Sequence, residues 1–172
     1  MKKVDITFPA LGIGIAVYLF SQSEQAEAST STPAHGHPGA GDAVAYIKKY
    51  FPLAKQTEKL YAVPALVTIA QAGIEGQWGS SNVAVNAKNH FGIKADPRWK
   101  GASFGAYRKY NSVEDSFTDH AKFLAVNPRY NNAFLTSDPK KFLRAVADAK
   151  YSENPDYYFI VSRVMDIADR VK

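Results

Sequence analysis

Residues 63–74, VPALVTIAQAGI, contain only two polar side chains, Thr68 and Gln71. A helix of that composition is apolar all round and is stable only when other elements cover it on every side. Pro64 suits its start, because the N–H that proline lacks is one the first helical turn leaves unbonded. Gly76 and Gly79 close it. The run delivers Glu75 to its C-terminal end, between Ile74 and Gly76. There the carboxyl group meets partial desolvation and the negative end of the helix dipole. Both favour its neutral form and raise its pKa. A carboxyl group that keeps its proton near neutrality is what a general acid needs to protonate a leaving oxygen. The residues alone also allow a solvated glutamate at a helix end.

A chain of 172 residues fits one main domain with a sizeable core. At 46% hydrophobic residues, the chain does not have the composition of a disordered one. Ten Tyr, ten Phe and two Trp supply core volume. Tyr and Trp also suit sugar-binding clefts, since each offers a flat apolar face with a polar edge. The formal charge of +5 and the pI of about 9.3 favour anionic partners. The basic residues are scattered rather than clustered, so nucleic acid is not the expected partner. Cysteine is absent, which excludes disulfides, cysteine nucleophiles and thiolate metal sites.

The chain opens with Lys2 and Lys3, an apolar run from Phe8 to Phe20, and an Ala26-Glu27-Ala28 cleavage pattern. This resembles a secretory signal peptide. The run is shorter than the roughly 20 residues that span a bilayer. Asp5 and Pro9 depart from the pattern, which leaves an uncleaved membrane anchor as the second reading. Either places the domain outside the cytoplasm: periplasm, cell envelope or extracellular. Residues 29–41, rich in Ser, Thr, Pro, Gly and Ala, read as a flexible linker. His35 and His37 in it do not make a metal site. The expected division is 1–28 signal or anchor, 29–41 linker and 42–172 domain.

Within the domain, residues 42–63 carry Val44, Ile47, Phe51 and Leu60 near helical spacing, with Pro52 expected to break or kink the helix. HFGIKA (90–95) and SFGAYRKY (103–110) read as two short strands. Ser112 and Asp115 form a rough capping box for a helix with Val113, Phe117, Ala121 and Leu124 on one stripe. Asp138-Pro139 and Asn154-Pro155 each open a further helix. The fold class is α+β, mostly helical, with about five to seven helices and one small two-stranded piece.

There is no nucleophile-elbow sequence, phosphate-binding glycine loop or H-E-x-x-H. Several segments in order carry a resemblance: AQAGIEGQWGSS (70–81), NHFGIKA (89–95), WKG (99–101), YRKYNSVEDSFTDHAKFL (107–124), NPRY (127–130) and AKYSENPDYY (149–158). Together they resemble the bacterial peptidoglycan-cleaving N-acetylglucosaminidases of glycoside hydrolase family 73, over about residues 42–172. The resemblance implies a lysozyme-like fold with a small β-hairpin lobe. It also implies hydrolysis of the β-1,4 bond after N-acetylglucosamine in peptidoglycan glycan strands. Glu75 then matches the family's general acid, and Tyr151 and Asp119 match further catalytic candidates. Trp78, Asn89, Phe91, Gly92 and Tyr130 match the motif residues around the cleft and are the substrate-binding candidates. Trp78 reads equally as core, and Phe91 as core. The expected partner is the glycan strand, bound by a monomer.

The sequence departs from the family pattern in two places. The hairpin segment KGASFGAYRKY (100–110) contains no Asp or Glu, where relatives commonly carry a second acid. Asp119 could be catalytic or purely structural. Two mechanisms stay open: inversion through a second carboxylate across a water, or attack by the substrate's own N-acetyl group. Neither needs a metal or an organic cofactor. The second departure is at Gly76 and Gln77, where Ser and Gly are commoner, and a side chain at position 77 bears on the backbone turn. The remaining candidates read blandly: Tyr110, Tyr157 and Tyr158 as packing, Trp99 as hairpin packing, and Arg108 and Lys109 as a solvated face. His90 and His120 are not expected to bind metal. The alternative function is a non-catalytic peptidoglycan-binding module using the same cleft, and a structural envelope protein is a third.

Overall fold

The computed structural model describes residues 40–172. The signal or anchor segment and all but the last residues of the linker lie outside the described residues. Helix α1 (Ala40–Tyr61) is followed by α2 (Ala65–Glu75), α3 (Asn82–Ala87), strands β1 (Ser103–Phe104) and β2 (Tyr107–Arg108), and α4 (Val113–Val126). A 3₁₀ segment (Pro128–Leu135), α5 (Pro139–Asp148) and α6 (Tyr157–Val171) complete the chain.

The central helix is α2, and nine of its eleven residues are buried. Its side chains divide the core in two. Val67, Ala70 and Ile74 join Leu124, Phe142, Val146 and Val161 on one side. Ala65, Ile69 and Ala72 join Ile47, Ala54, Phe91 and Phe117 on the other. An apolar helix thus satisfies both halves of the core at once, and Glu75 sits where it runs out.

Helix α1 continues through Pro52 instead of breaking there. Pro52 lies on the exposed face, as does Lys48 one turn earlier. The carbonyl that loses its N–H partner is therefore on the side that water reaches, and tertiary packing of the opposite face holds the helix together. The expected capping box of α4 is present in both directions, Ser112 with Asp115. Asp138 caps α5 through the Lys141 N–H. Helix α6 begins at Tyr157 rather than at Pro155, because Asn154 spends its side chain on the Asp156 N–H in a preceding turn.

The small sheet differs from the expected pairing. Both strands lie within SFGAYRKY, with Ser103 opposite Arg108 and Phe104 opposite Tyr107. The turn falls at Gly105, whose φ of +56° is the left-handed conformation that a two-residue hairpin turn requires. HFGIKA adds only a bridge from Lys94 to Tyr107, flanked by Arg108 N–H to Ile93 carbonyl and Ala95 N–H to Ala106 carbonyl bonds, each 2.9 Å.

The reversal after α2 is built from unusual backbone. Gln77 and Trp78 have φ of +52° and +55°, and Gly79 has +83°. Gly76 is pinned between strands of backbone: a Cβ there would stand 2.8 Å from the Ala72 carbonyl oxygen and 2.9 Å from that of His90. A non-glycine residue in the left-handed region is strained, so Gln77→Gly raises stability by about 0.5–1 kcal/mol. Urea unfolding checks this, the expected result being a higher midpoint at unchanged slope.

Candidate active site

Glu75 is half-buried at the end of α2. Desolvation raises its pKa from 4.5 to about 8, and no neighbouring charge or hydrogen bond contributes to the shift. Burial therefore carries the upward push expected from the sequence. Its nearest ionisable company is phenolic. Tyr157 is raised by burial and then by the Glu75 charge. Tyr151 is raised by burial first, then by Tyr157, Glu75, Tyr130 and Tyr110. The Tyr151 ring stacks on Tyr157 at 5.6 Å and stands 6.1 Å from Tyr130. Gln71, one turn before Glu75 on α2, donates to the Tyr157 hydroxyl at 2.7 Å.

A charged cluster extends from this group. The Tyr110 hydroxyl donates to Asp119 Oδ2 at 2.7 Å. Arg108 donates to the same oxygen at 2.7 Å and to Asp96 Oδ2 at 3.1 Å. Arg108 also lies over the Trp99 ring, 4.7 Å from its centroid. The Trp99 ring covers Gly101, where a Cβ would come within 2.4 Å, and its N–H donates to the Ala102 carbonyl at 2.8 Å. Arg108 is thus a half-buried organiser that holds two carboxylates from separate segments, which corrects the expectation of a solvated face. Asp96 is held below the usual carboxylate range, chiefly by its hydrogen bond from Arg98.

The other predicted residues divide by exposure. Tyr151 and Tyr130 are 1% and 2% exposed, so both rings pack, and of the two it is Tyr151 that feels the Glu75 charge. Asn89 is buried and fully engaged. Its amide N–H₂ donates to the Ile93 and Arg108 carbonyls, both at 2.9 Å, and its Oδ1 accepts from the N–H groups of Phe91 and Ile93. Phe91 has no exposed surface and stacks on His120 at 3.8 Å. In this conformation, Asn89 and Phe91 hold the cleft wall from behind and present no surface to a sugar. Gly92, at φ +60°, has only Tyr107 within 4 Å of a would-be Cβ, so its backbone is approachable. Trp78 packs its ring so closely on Gly73 that a Cβ there would lie 2.3 Å away. The Trp78 ring is core on one face and half-exposed on the other.

Sequence reasoning missed Gln71 and Tyr157 beside the acid, and the Asp96–Arg108–Asp119 bridge. Gln71 was visible as a polar residue in an apolar helix four positions before Glu75. The bridge joins residues 96, 108 and 119 across the hairpin, and no local pattern shows that. His120 is fully buried and its pKa falls to about 3 through desolvation, so it is neutral. Among the described residues no group of three or more His, Asp or Glu side chains is placed to hold a metal ion. No described helix is long and apolar enough to cross a membrane.

A carboxyl group raised by burial at a helix end, and coupled electrostatically to two buried tyrosines, is an arrangement suited to acid-assisted cleavage of a sugar bond. Residues 51–170 match the glucosaminidase family model, described as mannosyl-glycoprotein endo-beta-N-acetylglucosaminidase. The chain belongs to this glucosaminidase family. It is 31% identical over 152 residues to the peptidoglycan hydrolase FlgJ of Pseudomonas aeruginosa, covering 76% of this chain and 38% of the relative. It is 26% identical over 131 residues to the exo-glucosaminidase LytG of Bacillus subtilis, covering 65% of this chain and 46% of the relative. The chain thus spans less than half the length of either. A peptidoglycan hydrolase from Sphingomonas sp. A1 superposes with a TM-score of 0.64 at 27% identity, covering 74% of this chain and 92% of that one. The expected α+β, lysozyme-like architecture is the one observed.

The raised pKa of Glu75 also fixes a sign for stability. Between about pH 4.5 and about pH 8 the folded protein keeps a proton that the unfolded chain has lost. Stability therefore falls with rising pH across that window; below it the loss is absent, and above it the loss is complete and constant. Glu75→Gln has no such loss. Its stability relative to wild type should rise by on the order of 3 kcal/mol from pH 4.5 to pH 8.5, read from urea unfolding at the two pH values.

Proposed function

We propose that the chain hydrolyses the β-1,4 bond after N-acetylglucosamine in peptidoglycan glycan strands, outside the cytoplasm, with Glu75 as general acid. The observation that carries the reading is the Glu75 carboxyl, raised to about 8 by burial alone. At neutral pH it holds the proton that the glycosidic oxygen takes as the C1–O bond breaks. The names of the similar proteins support the substrate.

The same observation favours substrate assistance. No carboxylate contributes to the Glu75 shift, and Asp119 and Asp96 are both bound to Arg108. The acetamido oxygen of the N-acetylglucosamine unit attacks its own anomeric carbon as Glu75 protonates the leaving sugar. The resulting ring is then opened by water, which gives its proton back to Glu75. Tyr151, whose hydroxyl is buried in this conformation, orients the acetamido group once a bound strand opens the site, with Tyr130 and Tyr157 fixing its ring. Asp119 positions Arg108 and Tyr110. Gly92 borders the glycan at the acid, while Asn89 and Phe91 hold the loop that carries it, and Trp78 offers its half-exposed face to the glycan beyond the acid.

Release of reducing ends from purified sacculi by wild type and Glu75→Gln tests the reading. Activity in the first and not the second supports it. Equal activity in both removes Glu75 from the mechanism, and retention on sacculi with no activity in either leaves a binding module. An N-acetylglucosamine thiazoline should compete with substrate, and its failure to bind active enzyme would exclude the assisted route.

A further inference from the structure

A second concave surface lies outside the tyrosine surroundings of Glu75. It is a groove of about 490 Å³ bounded by α1, the turn after α2, and α3. Tyr46, Tyr50, Trp78 and His90 supply aromatic faces, and Lys49 and Lys88 supply charge. None of the described residues that line it is Asp or Glu, and neither is Glu75 among them.

The rings are held in place. The Tyr46 hydroxyl and His90 Nδ1 are 2.6 Å apart. Tyr46 lies 4.8 Å from Tyr50 and meets Trp78 edge-on at 5.9 Å. The Lys49 ammonium stands 5.1 Å from the Tyr50 centroid. The charge of both lysines reaches the groove floor: burial first, then Lys49 and Lys88, lower the pKa of His90 to about 4. His90 is thus neutral, and the free positive charge belongs to the two exposed lysines.

The backbone gives an independent sign. Of the described non-glycine residues with positive φ, Trp78 and Lys88 both line this groove. Gly79 lies between the rings at φ +83°, where a Cβ would stand 3.2 Å from Tyr46. Strained backbone under bulky side chains concentrates where a site needs those side chains.

We propose that this groove is a non-catalytic holding site for a peptidoglycan strand, a reading that rests on the wall substrate proposed above. A sugar ring lies on Trp78 and Tyr50, whose flat faces match the C–H face of a pyranose. A carboxylate of the peptide stem lies between Lys49 and Lys88. The site keeps the protein on an insoluble strand between cleavage events at Glu75.

The test uses Glu75→Gln protein, so that binding is read without turnover, with and without Lys49→Glu/Lys88→Glu. Co-sedimentation is measured with intact sacculi and with sacculi whose stems an amidase has removed. On intact sacculi at low salt the charge reversal should weaken retention roughly tenfold, an effect that shrinks at about 0.3 M salt. On stripped sacculi the two proteins should bind alike. Turnover of a short soluble glycan by Lys49→Glu/Lys88→Glu in the otherwise wild-type chain should stay within about twofold of wild type. Equal retention on intact sacculi overturns the proposal. An equal loss on stripped sacculi also overturns it, by assigning the lysines to another anionic wall polymer. The milder Lys49→Gln/Lys88→Gln pair shows the same order of effects with less change to the fold. Because retention is read without hydrolysis, an inactive wild type would sink the proposed reaction and leave the groove to be judged on its own.

Discussion

Glu75→Gln should lower the rate of glycan cleavage by about 10²–10⁴-fold while leaving affinity for sacculi within a few-fold. Gln keeps the shape and the hydrogen-bonding capacity of the protonated acid but cannot transfer a proton. The loss should therefore fall on kcat. The pH profile follows from the same environment. Wild-type activity should decline above about pH 8, where Glu75 loses its proton. That alkaline limb should shift to lower pH in any variant that lets water into the site, since desolvation alone sustains the raised value. A flat profile from pH 6 to pH 10 would show that another group supplies the proton. The stability change with pH described above separates this from a folding effect: Glu75→Gln should be the more stable protein at alkaline pH and the less active one at every pH.

The second large effect is structural. Gly73→Ala places a methyl group 2.3 Å from Trp78 Cζ3 and 2.7 Å from Cε3. The ring packs against both core clusters, so moving it off the new methyl group gives up contacts with each. We expect a loss of about 3 kcal/mol, a fall in Tm of roughly 10 °C. Gly105→Ala is the control. Its Cβ meets nothing within 4 Å, and only the positive φ opposes it, which costs about 1 kcal/mol. Thermal unfolding of the two variants should therefore differ severalfold in effect. Equal losses would mean that the Trp78 contact is not what makes position 73 a glycine.

The parts of the fold that were legible in the sequence are those set by local periodicity. The all-apolar stretch before Glu75 had one consistent solution, and the Ser112 and Asp138 caps name their helices by hydrogen-bond chemistry alone. Of the break or kink that Pro52 allows, the break does not occur, because a proline penalty of about 3 kcal/mol is a local quantity and burial of the opposite face of α1 outweighs it. The hairpin departs from expectation because alternation in SFGAYRKY fits a single strand, whereas Gly105 folds the segment back on itself. In the site, Glu75 was legible because an acid at the end of an apolar run is chemically anomalous. Gln71 is equally anomalous in that run, but its partner Tyr157 lies 86 positions away and no local pattern shows the pairing. The Arg108 bridge to Asp96 and Asp119 depends on three segments meeting in space, and a sequence period carries no trace of it. A side chain at position 77 bears on the backbone turn, and the left-handed φ of +52° at Gln77 is the physical form that this takes.

The most direct measurement for the central claim is the identity of the new reducing sugar. Sacculi digested by the wild-type chain are reduced with borohydride, hydrolysed in acid, and their amino-sugar alcohols separated. Cleavage after N-acetylglucosamine predicts glucosaminitol, absent from the Glu75→Gln digest. Muramitol in its place, or no new alcohol at all, would contradict the account.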